Sequence, residues 1–213
     1  IPSGTVIDGY EIIVLIGAGG FGGIYKVKEL ESDQIYAMKT ESLDSTRRTL
    51  PIESNILKEL HEEYFPKYRK SGTNEQFQVN YLIMNYLGAS IGEIQAYHNY
   101  KLDIEVAYHV SLIMLGTIKG FHSYGYIHRD IKPNNFLIQQ NKQYPLVLID
   151  FGLSKKHIDP ETKKPFPCQD EKRFLGTKKF SSIDVLKLRS CGRKDDLISW
   201  FYSFLDLACG TLP

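Results

Sequence analysis

Two short apolar runs enclose a polar loop at Tyr126-Ile127-His128-Arg129-Asp130-Ile131-Lys132-Pro133-Asn134-Asn135-Phe136-Leu137, and Leu148-Ile149-Asp150-Phe151-Gly152 follows soon after. Few folds can use that arrangement. It sets a carboxylate, an ammonium and a carboxamide on one loop and a second carboxylate on the next turn. Asn135 and Asp150 offer hard oxygen ligands, which suit magnesium better than imidazole or thiolate would. Asp130 can orient a hydroxyl and accept its proton, and Lys132 can neutralise charge spreading over the oxygens of a transferred group. An Asp- and Asn-rich capping loop would explain either half alone, and the full constellation speaks against it. His128 is assigned a packing and hydrogen-bonding role, which leaves Asp130 to face the substrate.

With 42% apolar and 24% charged residues, a chain of 213 residues can bury one or two cores. A formal net charge of +1 gives no general field for nucleic acid or membrane, so anion recognition falls to local clusters of lysine and arginine. Cys168, Cys191 and Cys209 have neither paired number nor metal-ligand spacing, which points to reduced thiols and a cytoplasmic or nuclear setting. The start, Ile1-Pro2-Ser3-Gly4, lacks a basic and apolar leader, and no apolar run reaches the roughly 18 residues of a membrane span.

From Tyr10 to Tyr86 short β-rich runs alternate with polar turns, interrupted by one helical pattern. A first hairpin joins Tyr10–Ile16 to Gly23–Lys28 through Gly17-Ala18-Gly19-Gly20-Phe21-Gly22, whose glycines are expected to adopt positive φ and approach a ligand closely. A strand is predicted over Gln34–Lys39. A helix is predicted after Pro51, with Ile52, Ile56, Leu57 and Leu60 on its apolar stripe and Glu53 off that stripe. Strands are expected near Phe77–Asn80 and Tyr81–Met84. The pattern changes after Leu87, which divides the chain into 1–87 and 88–213. Beyond it, Glu105–Tyr124 reads as a long buried helix carrying Val106, Val110, Ile113, Met114, Ile118 and Phe121, and Asp195–Leu205 as a final helix with acids at the positive end of its dipole.

The glycine pattern G-x-G-x-x-G also opens dinucleotide folds, but there a helix follows, whereas Ile24-Tyr25-Lys26-Val27-Lys28 reads as a strand. A hairpin covering phosphates fits better. Lys39, at a strand's end, could neutralise nucleotide phosphates if an acid held it, and Glu53 is its natural partner. Metal-assisted transfer of a nucleotide's terminal phosphoryl group to a protein hydroxyl is the chemistry these groups can share.

With these motifs in view, the chain resembles the eukaryotic protein kinases and among them is similar to the casein kinase I family. The resemblance rests on Gly17–Tyr25, Ile52-Glu53-Ser54, His128–Leu137 and Asp150–Lys156, and above all on Gly176-Thr177-Lys178-Lys179-Phe180-Ser181-Ser182-Ile183, where most kinases carry alanine-proline-glutamate. Asn134, in place of an aspartate, and Trp200-Phe201-Tyr202 are closer to the tau-tubulin kinases, a sister group.

The resemblance implies an α+β bilobal protein-kinase fold, with a small antiparallel-sheet lobe carrying one helix and a mainly helical lobe, closing on magnesium-ATP at their junction. Lys39 would pair with Glu53 and hold the α and β phosphates. Asp130 would be the catalytic base, Lys132 would touch the γ phosphate, and Asn135 and Asp150 would bind Mg2+. Gly17, Gly19 and Gly22 would cover the nucleotide. Adenine would lie between Ile16, Ile24 and Ala37 on one side and Leu137 and Ile149 on the other, with Met84 at the back and backbone groups of Asn85 to Leu87 at the hinge. Arg129, Lys155 and Lys172 would gather one substrate anion and Lys179 a second, favouring protein substrates acidic or phosphorylated near a Ser or Thr acceptor. Nucleic-acid and membrane partners are not expected, and a monomer is. Since family members continue past Gly210-Thr211-Leu212-Pro213 with further helices, the helical lobe is expected to be incomplete. A pseudokinase, binding nucleotide as a scaffold, is the alternative from another class, although no metal ligand and no paired lysine is lost.

Overall fold

The structure, a computed structural model, describes residues 1–19, 22–141 and 143–212. Its chain divides into two compact units, Ile1–Leu87 and Gly88–Pro213.

In the first unit β1 (Val6–Ile7), β2 (Tyr10–Gly19), β3 (Gly22–Glu29), β4 (Ile35–Ser42), β5 (Tyr68–Asn74) and β6 (Val79–Asn85) form one sheet in the order β1-β2-β3-β4-β6-β5. All its pairings are antiparallel. Period-two alternation along β3 buries Tyr25, Val27 and Glu29 on one face, where Tyr25 and Val27 join Ile7, Tyr10, Ile12, Met38, Tyr81 and Ile83 in a core. Ile24, Ala37 and Lys39 take the other face.

One expected strand is corrected and one unexpected strand appears. Phe77–Asn80 is no separate strand: Val79 to Asn85 is continuous, and its outer partner is Tyr68–Asn74. The sequence Tyr68-Arg69-Lys70-Ser71-Gly72-Thr73-Asn74 lacks apolar alternation because it is an edge strand with no fully buried residue. The hairpin glycines also differ from expectation. Gly17, Gly22 and Gly23 are absent from the positive-φ region. A Cβ on Gly22 would overlap the Thr40 carbonyl, so crowding against β4 excludes a side chain there.

Helix α1 (Leu50–Glu59) has Pro51 in its first turn, where a missing N–H costs nothing. Its N-terminus is capped from β4: Glu41 Oε1 accepts from Thr49 N at 2.8 Å, Thr49 Oγ1 at 2.8 Å and Leu50 N at 3.3 Å. The buried face carries Leu50, Glu53, Ser54, Ile56 and Leu57, whereas Ile52 is 45% exposed. The apolar stripe is therefore rotated from the predicted one, and Glu53 lies on the buried side.

The second unit contains α2 (Ile91–Tyr97), α3 (Ile104–Ser123), the short strands β7 (Tyr126–Ile127), β8 (Phe136–Ile138), β9 (Leu146–Leu148) and β10 (Lys155–Lys156), then α4 (Ile183–Leu186) and α5 (Arg193–Cys209). Ser90 and Glu93 close a reciprocal capping box on α2. Along α3 the buried stripe is Ala107, Ser111, Met114, Thr117, Ile118 and Phe121, while Val106 is exposed, so α3 is amphipathic and not buried throughout. An 18-residue window of α3 reaches a mean hydropathy of 1.2, so this helix has the length and composition to cross a membrane, although Glu105, His109 and Lys119 interrupt it and it is no continuous apolar run. That stripe faces α5, onto which it is fastened by Trp200 Nε1 donating to Ser111 O at 2.7 Å.

All three cysteines are free. Burial pushes the Cys191 thiol up to about 12, so it stays protonated near neutrality. Brief iodoacetamide treatment of the native protein at pH 8 is expected to alkylate the exposed Cys168 and Cys209 and spare Cys191, read by mass spectrometry. Equal labelling at all three would contradict that burial.

Candidate active site

In the first unit the β2–β3–β4–β6 register sets the candidate nucleotide groups in two rows. Ile24 stands opposite both Gly17 and Lys39, and Ala37 opposite both Lys26 and Met84. Ile24 and Ala37 are half-buried, Ile16 is 47% exposed, and Met84 is buried. Lys39 Nζ lies 2.7 Å from Glu53 Oε2, with the carboxylate side chain only 3% exposed. A buried carboxylate against a lysine fixes the ammonium in place at the cost of desolvating both groups, which suits a cation with a positioning task. Gly19 and Gly22 end and begin the hairpin strands, whose tip lies outside the described residues. Of the backbone groups assigned to the hinge, the Asn85 N–H donates to Lys67 O at 3.2 Å. Tyr86 is exposed and Leu87 half-buried.

In the second unit β8 and β9 pair with Phe136 opposite Leu148, and the ladder extends one step further because Ile149 N donates to Asn135 O at 3.0 Å. That step sets Asn135 and Asp150 on neighbouring backbone. Asp150 has φ +69°, ψ +65°, a left-handed conformation uncommon for a residue with a side chain. His128, fully buried, ties the two loops: Nε2–H donates to Ile149 O at 3.0 Å and Nδ1 accepts from Asp130 N at 3.3 Å. Leu137 and Ile149 are both half-buried.

Asp130 is 7% exposed and has a partner on each oxygen. Lys132 Nζ lies 2.7 Å from Oδ2, and Thr177 Oγ1 donates to Oδ1 at 2.7 Å. Lys132 Nζ also donates to Thr177 Oγ1 at 3.0 Å, which closes a three-membered ring of contacts. Asn135 Nδ2 donates to Asp130 O at 2.8 Å, which fixes the orientation of the carboxamide and leaves Oδ1 as its acceptor end.

Several partners of this loop were not anticipated. Asp196, placed by the sequence reading only at a helix dipole, accepts from His128 N and Arg129 N, each at 2.8 Å, and lies 2.8 Å from His122 Nε2. Thr177 belongs to the same group. Gly176 has φ +97°, and a Cβ there would come within 2.5 Å of Arg129 O, so only glycine lets the Thr177 segment lie against the loop. The one available signal was the acidic pair Asp195-Asp196 in the first turn of α5, directly before the mostly apolar Leu197–Leu205.

The anion assignments fare differently. Arg129 Nη1 donates to Glu171 Oε1 at 2.8 Å and Lys155 Nζ lies 3.7 Å from the same oxygen, so an internal carboxylate already sits on those cations. Lys172 is exposed and does not join them. Lys179 Nζ lies 2.7 Å from Asp206 Oδ1, and is thereby paired with a buried carboxylate of α5.

A six-stranded antiparallel unit with one helix, followed by a mainly helical unit bearing this loop, is the α+β architecture of a protein kinase domain. The protein kinase domain family matches residues 10–213, and the chain belongs to that family. The chain is also similar to a Dictyostelium discoideum protein named "Probable serine/threonine-protein kinase", at 31% identity over 216 residues, a match covering 99% of this chain and 43% of the relative. It thus spans less than half the length of that relative.

Proposed function

We propose that this chain is the catalytic domain of a serine/threonine protein kinase of the casein kinase I kind, with the tau-tubulin kinases as the near alternative within that group. The ring of contacts among Asp130, Lys132 and Thr177 carries the reading, because it holds a carboxylate and an ammonium side by side on one rigid loop. Asp130 would orient the serine or threonine hydroxyl and accept its proton, and Lys132 would neutralise the oxygens of the transferred group. Lys39, held by Glu53, would position the α and β phosphates.

The residues present fit Mg2+ and ATP. Two hard oxygen donors on adjacent backbone, Asn135 and Asp150, match a cation that takes few protein ligands and completes its shell with phosphate and water oxygens. Bound there, the metal would supply charge neutralisation to the nucleotide phosphates. Positioning and electrostatics then account for most of the acceleration, since a loose phosphoryl transition state leaves side chains little covalent work.

For the substrate class, the support is local charge. From Lys155 to Arg189 ten lysines and arginines face five aspartates and glutamates, an excess of five positive charges in a chain whose total is +1. Such a stretch favours acidic or phosphorylated segments near the acceptor. The same reading has the protein acting as a monomer on protein substrates in cytoplasm or nucleus.

Incubating the full-length protein with labelled magnesium-ATP and an acidic serine peptide, its phosphorylated twin and a basic control tests this. Acidic peptides are expected to exceed the control by roughly tenfold in kcat/KM, a difference of about 1.4 kcal/mol. No transfer above background to any peptide would remove the kinase reading in favour of a scaffold. Equal use of all three would remove the substrate class alone.

A further inference from the structure

The side chain of Arg129 is only 14% exposed, and its backbone N–H, Nε and Nη1 are each engaged. Its N–H donates to Asp196 Oδ1 at 2.8 Å, its Nε to Leu153 O at 2.5 Å and its Nη1 to Glu171 Oε1 at 2.8 Å. Its φ is +69°, a left-handed value. A guanidinium this deeply placed needs a counter-charge, and losing it leaves an uncompensated charge beside the residue that bears the candidate base. Arg129 immediately precedes Asp130, so a displacement of its side chain reaches the reacting carboxylate through one peptide bond.

Glu171 is delivered to that position by the backbone. Glu171 N donates to Leu188 O at 2.9 Å, Ser190 N to Asp170 Oδ1 at 3.1 Å and Gln169 N to Ser190 Oγ at 3.3 Å. These three bonds strap residues 169–171 onto 188–190. Its carboxylate oxygen is then shared by Arg129 and by Lys155 at 3.7 Å. The adjoining cavity, lined in part by Arg129, Glu171, Arg173 and Arg189, holds about 10 Å³. That is room for about one water molecule, so the cavity as it stands does not hold a phosphate beside Glu171.

We propose that Glu171 is a resident anion: it occupies the Arg129–Lys155 site in cis and makes alignment of the Asp130 loop independent of a phosphate brought by substrate or solvent. Glu171 is a positioning residue on this view, acting through Arg129. The inference rests on the kinase reading above and narrows it, because any preference for phosphorylated substrates must then arise at other cations of the basic stretch, such as Lys172.

The test compares parent and Glu171→Gln full-length proteins on the unphosphorylated acidic peptide, with sodium sulfate replacing chloride at constant ionic strength. Glutamine keeps the volume and removes the charge. The variant is expected to lose roughly tenfold in kcat and to regain activity to within about twofold of the parent as sulfate is added, while the parent changes by less than about twofold. Melting temperature gives a readout that needs no activity: sulfate is expected to raise that of the variant by about 2–4 °C more than that of the parent. Full activity in the variant, a loss that sulfate neither rescues nor answers with a melting shift, or equal sulfate stimulation of the parent would each overturn the proposal. An inactive parent would count against the kinase reading, and the melting shift would still decide the role of Glu171.

Discussion

Asp130→Asn is expected to lower kcat by about a thousandfold while nucleotide affinity changes by less than about twofold. The two side chains have nearly the same shape, and the surroundings can adapt to the amide. Thr177 Oγ1, which donates to Oδ1 at 2.7 Å, can reverse its hydroxyl and accept from an amide nitrogen. Lys132, 2.7 Å from Oδ2, keeps an oxygen to bind. The fold should therefore survive, with a melting temperature close to the parent's. What disappears is the ability to accept a proton from the attacking hydroxyl. Turnover within tenfold of the parent, measured with labelled ATP alongside nucleotide titration, would contradict the assignment of the base.

The second large effect is expected at Asp196→Ala. Asp196 is 1% exposed and holds the backbone N–H of His128 and of Arg129 as well as the His122 ring. Removing its carboxylate strands two backbone donors and an imidazole in the interior, at a cost of about 3–5 kcal/mol. For a domain of this size that corresponds to a fall in melting temperature of roughly 10 °C. Activity should fall as well, by about a hundredfold, because the left-handed Arg129 loses the anchor that sets the course of the loop into Asp130. Asp196→Asn retains one acceptor oxygen and is expected to show about half the thermal loss. A melting temperature within about 2 °C of the parent for the alanine variant would show that solvent or neighbouring groups replace the carboxylate.

These two residues also mark how much of the molecule was legible beforehand. Asp130 could be singled out because its neighbours in sequence, Lys132 and Asn135, are its neighbours in space, and a short loop leaves little room for any other arrangement. Asp196 touches the same loop from 68 positions away at His128, a distance in sequence that no local pattern encodes. Thr177 reaches Asp130 across 47 positions. The same distinction runs through the fold. Strands β3 and β6 alternate or run apolar and can be read, although the pattern alone splits the start of β6 off as a separate strand. Polar β5 could not, because an edge strand buries nothing that leaves a periodic trace. The face of α1 differs from the one the apolar pattern predicts because Glu53, a carboxylate, occupies a buried position that its pairing with Lys39 helps make tolerable.

By itself, then, the order of residues determined the alternation of strands and helices, the chemistry available on the loop from His128 to Asn135, and the kind of reaction those groups can serve, since each depends on near neighbours along the chain. Beyond the Lys39–Glu53 pair, only the tertiary structure decided which charges meet. Glu171 lies on Arg129 and Lys155, Asp206 on Lys179, and Asp196 under the loop, because a buried charge takes whatever counter-charge the packing of distant segments brings within reach.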